Sequence, residues 1–234
     1  MAEIIGTTAG FGSSTIALPL ALFFFDFKTA LVLVAFLHIF GNMGRIGFFR
    51  HGLDKALLVR FGIPSVVLTL VGALLIVYMP QQILKGILGL FLIIYSTLSW
   101  QEDFQVKAST ATTMIGGGIS GFLAGLIGTG GALRAAFLTA FGLPKEKYIA
   151  TAATIALASD LTRIPVYLSQ GFLDIKFYWY IPVLFIIALS GSFIGKQIVS
   201  KIPQKTFRKI VLLAIFLIGV KFVYDLFFLG HIQN

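Results

Sequence analysis

The chain has 234 residues, of which 58% are hydrophobic and 12% are charged, with a mean hydropathy of +0.97. A soluble core cannot hide so much apolar surface, so we expect the bilayer to be its solvent and exclude a soluble enzyme. The lack of cysteine excludes disulfides, thiolate metal sites and cysteine nucleophiles, and the net charge of +9 indicates loop cations that face anionic lipid headgroups rather than nucleic acid.

Apolar runs long enough to enter or cross a bilayer follow one another almost without pause. They cover 4–25, 29–49, 57–79, 83–100, 111–142, 147–169, 176–195 and 210–229. Because the acidic Glu3 stands where a secretory leader would be basic, we expect the first run to be retained. The pattern leaves no room for a soluble domain and predicts an all-α polytopic membrane protein.

Two of these runs are interrupted by glycines and small polar residues. The first run is interrupted at 10–14, and the run 111–142 is interrupted at 128–131. Glycine clusters weaken a helix and mark close approach of another backbone or a ligand. We therefore predict a discontinuous or re-entrant helical segment at each place.

The two breaks occupy corresponding places in an internal repeat. With one insertion, Ala9–Ser13 corresponds to Ala124–Thr129. Further matches pair Asn42–Ile46 with Asp160–Ile164, Gly52–Asp54 with Gly171–Asp174, and Met79–Gln81 with Ile202–Gln204. Chance similarity between apolar helices explains any one of these matches, but four in the same order favour a duplication. We predict two transmembrane repeats, 1–107 and 108–234, each a broken segment followed by three transmembrane helices.

The basic loops indicate that the second repeat is inverted relative to the first. The basic loop follows the second segment in the first repeat and the third segment in the second. The positive-inside rule puts both on the cytoplasmic face only if each broken segment enters and leaves on one face. Loops 50–56, 101–110, 143–146 and 196–209 then lie inside and both termini lie outside. Transporters built in this way form substrate sites near the midplane from discontinuous helices.

Once the charged residues near the ends of the runs are assigned to the two faces, four charged residues are left within the bilayer, namely Arg45, Arg134, Asp160 and Arg163. Such groups are costly in a bilayer and are candidates for function. Arg45 also fits a side chain that snorkels to the interface, and Asp160 with Arg163, one turn apart, also fits a structural ion pair. We interpret His38 as a satisfied polar group rather than a proton carrier.

The two breaks offer the groups that bind an anion. Half-helix N-termini present free N–H groups and a positive dipole end, hydroxyls add donors, and arginine presents a planar fork suited to sulfonate, sulfite or carboxylate oxygens. The candidate substrate-binding residues are Gly12, Ser13, Ser14, Thr15, Asn42, Arg45, Gly128, Thr129, Gly130, Gly131, Arg134, Asp160 and Arg163. We expect no metal, no cofactor and no catalytic residues, since neither a Ser–His nor a paired-Asp arrangement is visible.

Several motifs in these segments are shared with one family. They are 121–131 (GFLAGLIGTGG), 141–144 (FGLP), 150–152 (ATA) and 167–171 (YLSQG), with echoes at 16–20 (IALPL) and 50–52 (RHG). The chain thereby resembles the sulfite exporter TauE/SafE family of membrane permeases. The resemblance implies transport of small sulfur-containing or organic anions, such as sulfite, sulfoacetate, thiosulfate or related sulfonates, across a bacterial or archaeal inner membrane.

The chain also departs from the family pattern. The family often has a proline where this chain reads Arg134-Ala135-Ala136, and the first cluster is Gly12-Ser13-Ser14 rather than a glycine triplet. These departures do not affect the expected class of protein, an anion transporter, but they leave the identity of its substrate undetermined.

A passive anion channel is the main alternative, and its conductance would not saturate. The expected partners are a small anionic substrate and membrane lipid, with a homodimer as a further hypothesis. The sequence indicates neither the direction of transport nor the ion to which transport is coupled. Asp160, whose repeat counterpart Asn42 is neutral, either couples transport to protons or serves only as a structural counter-ion.

Overall fold

The computed structural model describes residues 13–48, 52–100, 109–198 and 204–228. Within these ranges the chain is helical and has no strand. The helices are α1 (Ser14–Ala21), α2 (Phe27–Phe48), α3 (Lys55–Tyr78), α4 (Gln81–Trp100), α5 (Thr110–Ile127), α6 (Gly131–Thr139), α7 (Lys145–Ser169), α8 (Tyr180–Ile198) and α9 (Gln204–Phe228). All except the short α1 and α6 are long and apolar enough to cross a bilayer, which confirms the predicted all-α polytopic membrane protein.

Local sequence explains where several helices start and stop. Asp54 caps α3, because its Oδ1 accepts a hydrogen bond of 3.0 Å from the Leu57 N–H. Ser109 caps α5 in the same way, accepting from the Thr112 N–H at 3.1 Å. α5 ends at Gly128, whose φ of +77° lies in the left-handed region that favours glycine. α3 contains a π-helical turn, Leu58–Gly62, which the hydropathy pattern does not reveal.

A stripe of small residues lets α5 lie directly against α3. Gly117, Gly121 and Gly125 recur at every fourth residue and so share one helix face. A Cβ at any of these positions would collide with a backbone carbonyl oxygen of α3, that of Phe61, Ser65 and Thr69 respectively. Small residues at four-residue spacing are the usual basis of close helix packing in membranes.

The longest helices pair across the predicted repeat boundary. α3 packs on α5, α4 on α9, and α2 on both α7 and α8. In the α4–α9 pair, a Cβ built on Gly89 or on Gly219 would lie 2.8 Å from the carbonyl oxygen of the other glycine. This reciprocal pairing fits a duplicated chain, while the inverted orientation and the boundary at residue 107 stay predictions.

Contacts between loops define one end of the helix bundle, the Asp54 end, comprising residues 52–60, 109–110 and 142–151. Asp54 Oδ2 lies 3.1 Å from Lys147 Nζ, and the Asp54 N–H donates to Thr151 Oγ1 at 3.0 Å. Arg60 Nη1 donates to Thr110 Oγ1 at 3.4 Å. The charge pattern assigned these same loops to one face.

The opposite end, the Phe172 end, comprises residues 25–29, 79–81 and 170–180. Here the Phe27 N–H donates to Gln81 Oε1 at 3.0 Å, and Thr29 Oγ1 donates to the Phe172 carbonyl at 3.5 Å. Which end faces the cytoplasm stays a prediction. The N-terminus, the C-terminus and parts of loops 50–56, 101–110 and 196–209 lie outside the described residues.

Candidate functional site

The second break is a reversal of the chain between α5 and α6. Ser120 Oγ donates to the Gly130 carbonyl at 2.8 Å, and Gly116 contacts the ring of Phe137, so α6 runs back along α5. Gly128 turns the backbone, and a Cβ on Gly130 would overlap the Ser120 carbonyl oxygen. The segment therefore enters and leaves toward the same end of the bundle, as the charge argument requires.

The two arms of this reversal are unequal, which the predicted pair of half-helices did not anticipate. α5 has 18 residues and α6 has nine. The helix continues through the glycine triplet at 116–118 because α3 and Phe137 pack against those glycines and supply the contacts that side chains would otherwise make. Tertiary packing here overrides the low helix propensity of glycine.

The first break meets the second. Ser13, Ser14 and Thr15 begin α1 and are buried, and Thr15 Oγ1 lies 2.9 Å from Thr129 Oγ1. α1 also packs against α6. Within the described residues, the start of α1 is therefore in contact with the second break. Gly12 lies outside them, and the depth of the meeting point in the bilayer stays a prediction.

A buried ionic cluster lies beside the breaks. Asp160 Oδ1 is 2.7 Å from Arg163 Nη2 and accepts a further hydrogen bond of 2.9 Å from Arg163 Nε. Asp160 Oδ2 is 2.7 Å from His38 Nδ1. The pair predicted from the i, i+3 spacing therefore forms, and α2 adds a third member that joins the two halves of the chain.

Arg163 also caps the C-terminal end of α5. Its Nη1 donates to the Ala124 carbonyl, and the Tyr167 hydroxyl donates to the Gly125 carbonyl. The last carbonyls of a helix have no partner within it and form its negative dipole end, so an arginine stabilises them. The guanidinium of Arg163 is thus bound both to the Asp160 carboxylate and to the end of α5 in the absence of substrate.

The matching positions of the first repeat form a weaker version of the same pair. Arg45 Nη1 donates to Asn42 Oδ1 at 2.8 Å, three residues apart, as Arg163 does to Asp160. Asn42 Nδ2 and Ser13 Oγ are buried polar atoms without a hydrogen-bond partner in the described parts of the chain. Buried donors without a partner are uncommon and call for an explanation.

A cavity of about 10 Å³ lies where the breaks and the ionic cluster meet, with room for about one water molecule. Its lining combines residues from α1, α2, α5, α6 and α7, namely Ser14, His38, Ala124, Gly128, Gly130, Gly131, Arg134, Ala156, Ser159, Asp160 and Arg163. Seven of the thirteen predicted site residues are among them. Thr15 and Thr129 join the breaks beside it, while Ser13, Asn42 and Arg45 are buried but do not line it.

Arg134 is the distinctive cation of this cavity. Arg134 is only 6% exposed and lines the cavity, yet no hydrogen bond or ion pair of its guanidinium is present within the described ranges. Arg163, by contrast, is fully engaged. An arginine without a partner at a buried cavity is available for an anionic ligand.

Sequence reasoning did not select His38, Ser159 or Tyr167. His38 belongs to the site because its Nδ1 pairs with Asp160, a contact that the interpretation of His38 as a satisfied polar group did not foresee. An ionisable residue inside a predicted span was the available signal for it. Tyr167 lies four residues after Arg163, and this spacing places both on one helix face. Nothing in the sequence indicates Ser159.

Seven helices long and apolar enough to cross a bilayer, and the meeting of α1 with the α5–α6 reversal at a buried cationic cavity, define a polytopic membrane transporter. The chain matches the family model "Sulfite exporter TauE/SafE" over residues 1–222 and belongs to that family. Membership implies a membrane transporter of sulfur-containing anions rather than an enzyme. Neither a curated protein nor a solved structure matches the chain.

Proposed function

We propose that the chain carries small sulfur-containing oxyanions, such as sulfite, thiosulfate, sulfoacetate or other sulfonates, by alternating access through the cavity between the two breaks. The observation that carries this proposal is Arg134, a buried guanidinium without a partner in the described residues, which lines that cavity. The proposal includes the predicted orientation, with the Asp54 end in the cytoplasm.

The start of α6 adds further donors to the same place. The Arg134 N–H donates to the Gly130 carbonyl, so Arg134 lies in the first turn of α6. The N–H groups that precede it have no acceptor within the helix and lie at its positive dipole end. Gly130 and Gly131, which line the cavity, allow an oxyanion to approach this backbone directly.

The charges around the cavity favour an anion over a cation. Two arginines, Arg134 and Arg163, and one carboxylate, Asp160, line it. Asp160 is already neutralised by Arg163 and hydrogen-bonded by His38, so Arg134 supplies an uncompensated positive charge. A sulfur oxyanion offers several oxygens to an arginine fork, a hydroxyl of Ser14 and backbone N–H groups together.

The small size of the cavity supports alternating access over a passive pore. A volume of about 10 Å³ holds about one water and no sulfur oxyanion, so α1 or α6 must move to admit the substrate. Short helices joined through glycines to longer ones are suited to such movement. A passive channel would instead need a continuous open path.

Reconstituted liposomes test this proposal. We expect saturable uptake of radiolabelled sulfite, thiosulfate and sulfoacetate, with little uptake of acetate, and faster uptake when unlabelled substrate is present on the opposite side. Such exchange is a property of carriers. A current that does not saturate would favour the channel alternative, and failure to move any of the three sulfur anions would refute the proposed function.

A further inference from the structure

We propose that His38 is a proton-binding site that loads together with the anion, so that the transporter binds a proton and an oxyanion as a pair. This inference rests on the proposed anion site. His38 is 4% exposed, lines the same cavity as Arg134, and holds Asp160 at 2.7 Å.

Hydrogen bonding around Asp160 decides which nitrogen of His38 is available. Asp160 Oδ1 receives both Arg163 Nε and Arg163 Nη2, and Oδ2 faces His38 Nδ1. A carboxylate held ionised by arginine only accepts, so Nδ1 carries the hydrogen of the neutral ring. Nε2 then bears the lone pair, and within the described residues it has no hydrogen-bond partner. A proton taken from water forms an N–H bond at Nε2 and leaves an imidazolium cation.

The charges that face His38 come from two other helices. Asp160 and Arg163 approach from α7 and Arg134 from α6, while Arg45 lies further along α2. The phenol groups of Tyr167 and Tyr148 neighbour Arg163 and Arg134 respectively. With neutral His38, Arg134, Arg163 and Asp160 sum to +1, and with protonated His38 the cavity carries +2.

This charge change couples the proton to the anion. The repulsion of two arginines opposes a second cation, and Asp160 only partly offsets it. An oxyanion between Arg134 and His38 removes that repulsion and adds attraction, so each ligand strengthens the binding of the other. Because the coupling is reciprocal, the anion binds more tightly at low pH and more weakly as pH rises.

The position of His38 gives the proton a place in the transport cycle. His38 lies on α2, in the first predicted repeat, and Asp160 lies on α7, in the second. Their hydrogen bond therefore crosses between the halves that alternating access would move. A proton at His38 converts this hydrogen bond into an ion pair, and separation of the halves exposes the imidazole to water.

Calorimetry on the purified wild-type protein tests the inference directly. Thiosulfate is the probe, because it stays fully ionised between about pH 5 and 8, the range in which histidine titrates. Titrations in two buffers with different ionisation enthalpies count the protons taken up. We expect uptake of up to one proton per bound thiosulfate, and an affinity that falls by up to about tenfold per pH unit. Thiosulfate binding without proton uptake at any pH in this range would overturn the inference.

A variant assigns the proton to His38. His38→Gln keeps a side-chain N–H that can face Asp160 but has no group that titrates, so we expect weaker thiosulfate binding, no proton uptake and no pH dependence. His231→Gln removes another imidazole and serves as the control, with binding and proton uptake as in the wild type. Proton uptake that persists in His38→Gln would overturn the assignment, and should that variant not fold, the wild-type titration still decides.

Flux measurements separate this inference from the proposed function. Radiolabelled thiosulfate and a pH-sensitive dye are followed together in liposomes, and we expect the lumen to acidify as thiosulfate enters. Thiosulfate flux without acidification would refute proton coupling and leave the proposed function standing. Binding with proton uptake but without flux would refute the proposed function and leave the proton site standing.

Discussion

Thr15 and Thr129, 114 residues apart in the chain, share a hydrogen bond of 2.9 Å between their side-chain hydroxyls. Both side chains are fully buried, and each belongs to one of the two broken segments. The contact thus joins the breaks of the two predicted repeats at the cavity.

Removing this hydrogen bond should loosen the junction. We expect Thr15→Val and Thr129→Val each to lower the free energy of unfolding by about 1 kcal/mol, and the double variant to cost less than the sum of the two. Unfolding in mixed detergent micelles measures all three. Because valine keeps the shape of threonine, strictly additive losses would show that the two hydroxyls do not act together.

Arg134 should dominate anion affinity. Arg134→Gln removes the uncompensated charge, and a hydrogen bond to a charged group is worth about 1.5–3 kcal/mol, so we expect thiosulfate to bind about ten- to a hundredfold more weakly. Arg134→Lys should retain part of the affinity, because it keeps the charge without the fork. Isothermal titration calorimetry measures both. Arg60→Gln, at the Asp54 end, is the matched control, and equal losses in both variants would contradict the assigned site.

The glycine stripe of α5 should tolerate no side chain. Gly121→Ala places a methyl group against the Ser65 carbonyl oxygen. We expect this overpacking to lower the free energy of unfolding by about 1–3 kcal/mol. Gly47→Ala, on α2, is the control, because an added Cβ there has nothing within 4 Å. Thermal unfolding in detergent compares the two. A Gly121→Ala protein as stable as the wild type would contradict the close approach of α3 and α5.

Asp54 should make stability depend on pH at the Asp54 end. The Leu57 N–H and, next, Lys147 hold the pKa of Asp54 below its usual 3.8. A lowered pKa stabilises the folded protein above pH 3.8, and this contribution disappears as pH falls through the lowered value.

Two variants separate charge from capping at this residue. Asp54→Asn keeps the helix cap and should lose only the pH-dependent part, whereas Asp54→Ala should also lose about 0.5–2 kcal/mol of capping. Melting temperatures between about pH 3 and pH 6 test this. An unchanged pH profile in Asp54→Asn would show that other carboxylates are responsible.

The orientation in the membrane is open to direct labelling, because the chain has no cysteine. Lys176→Cys and Lys55→Cys place single thiols at exposed positions near the Phe172 end and the Asp54 end respectively. The positive-inside rule predicts that a membrane-impermeant reagent labels Lys176→Cys in intact cells, and Lys55→Cys only after lysis. The opposite result would invert the topology.

Features that depend on spacing along one helix could be predicted from the sequence. The apolar run 83–100 corresponds to Gln81–Trp100, and the interval of three residues between Asp160 and Arg163 gives their ion pair. The second break could be predicted because glycines interrupt an apolar run at 128–131, where α5 ends. In each case the local chemistry of a few consecutive residues determines the feature.

Features that depend on how helices rotate against one another could not be predicted. The contact of His38 with Asp160 joins residues 122 positions apart, and no repeat or spacing links them. Arg163 caps α5 only because α7 presents that face to Ala124. The glycine triplet at 116–118 looks like a break but continues as helix, since its outcome depends on α3 and Phe137.

The pairing of α3 with α5, and of α2 with α7 and α8, has a consequence for biosynthesis. Each of the three long helices of the first half, α2, α3 and α4, finds its most extensive partner only after the later part of the chain has been made. α3 leaves the ribosome before α5, so α3 cannot pack against the glycine face of α5 until that later helix has entered the bilayer. After insertion, α2, α3 and α4 therefore expose their packing faces to lipid and to quality-control proteases until their partner helices have been synthesised.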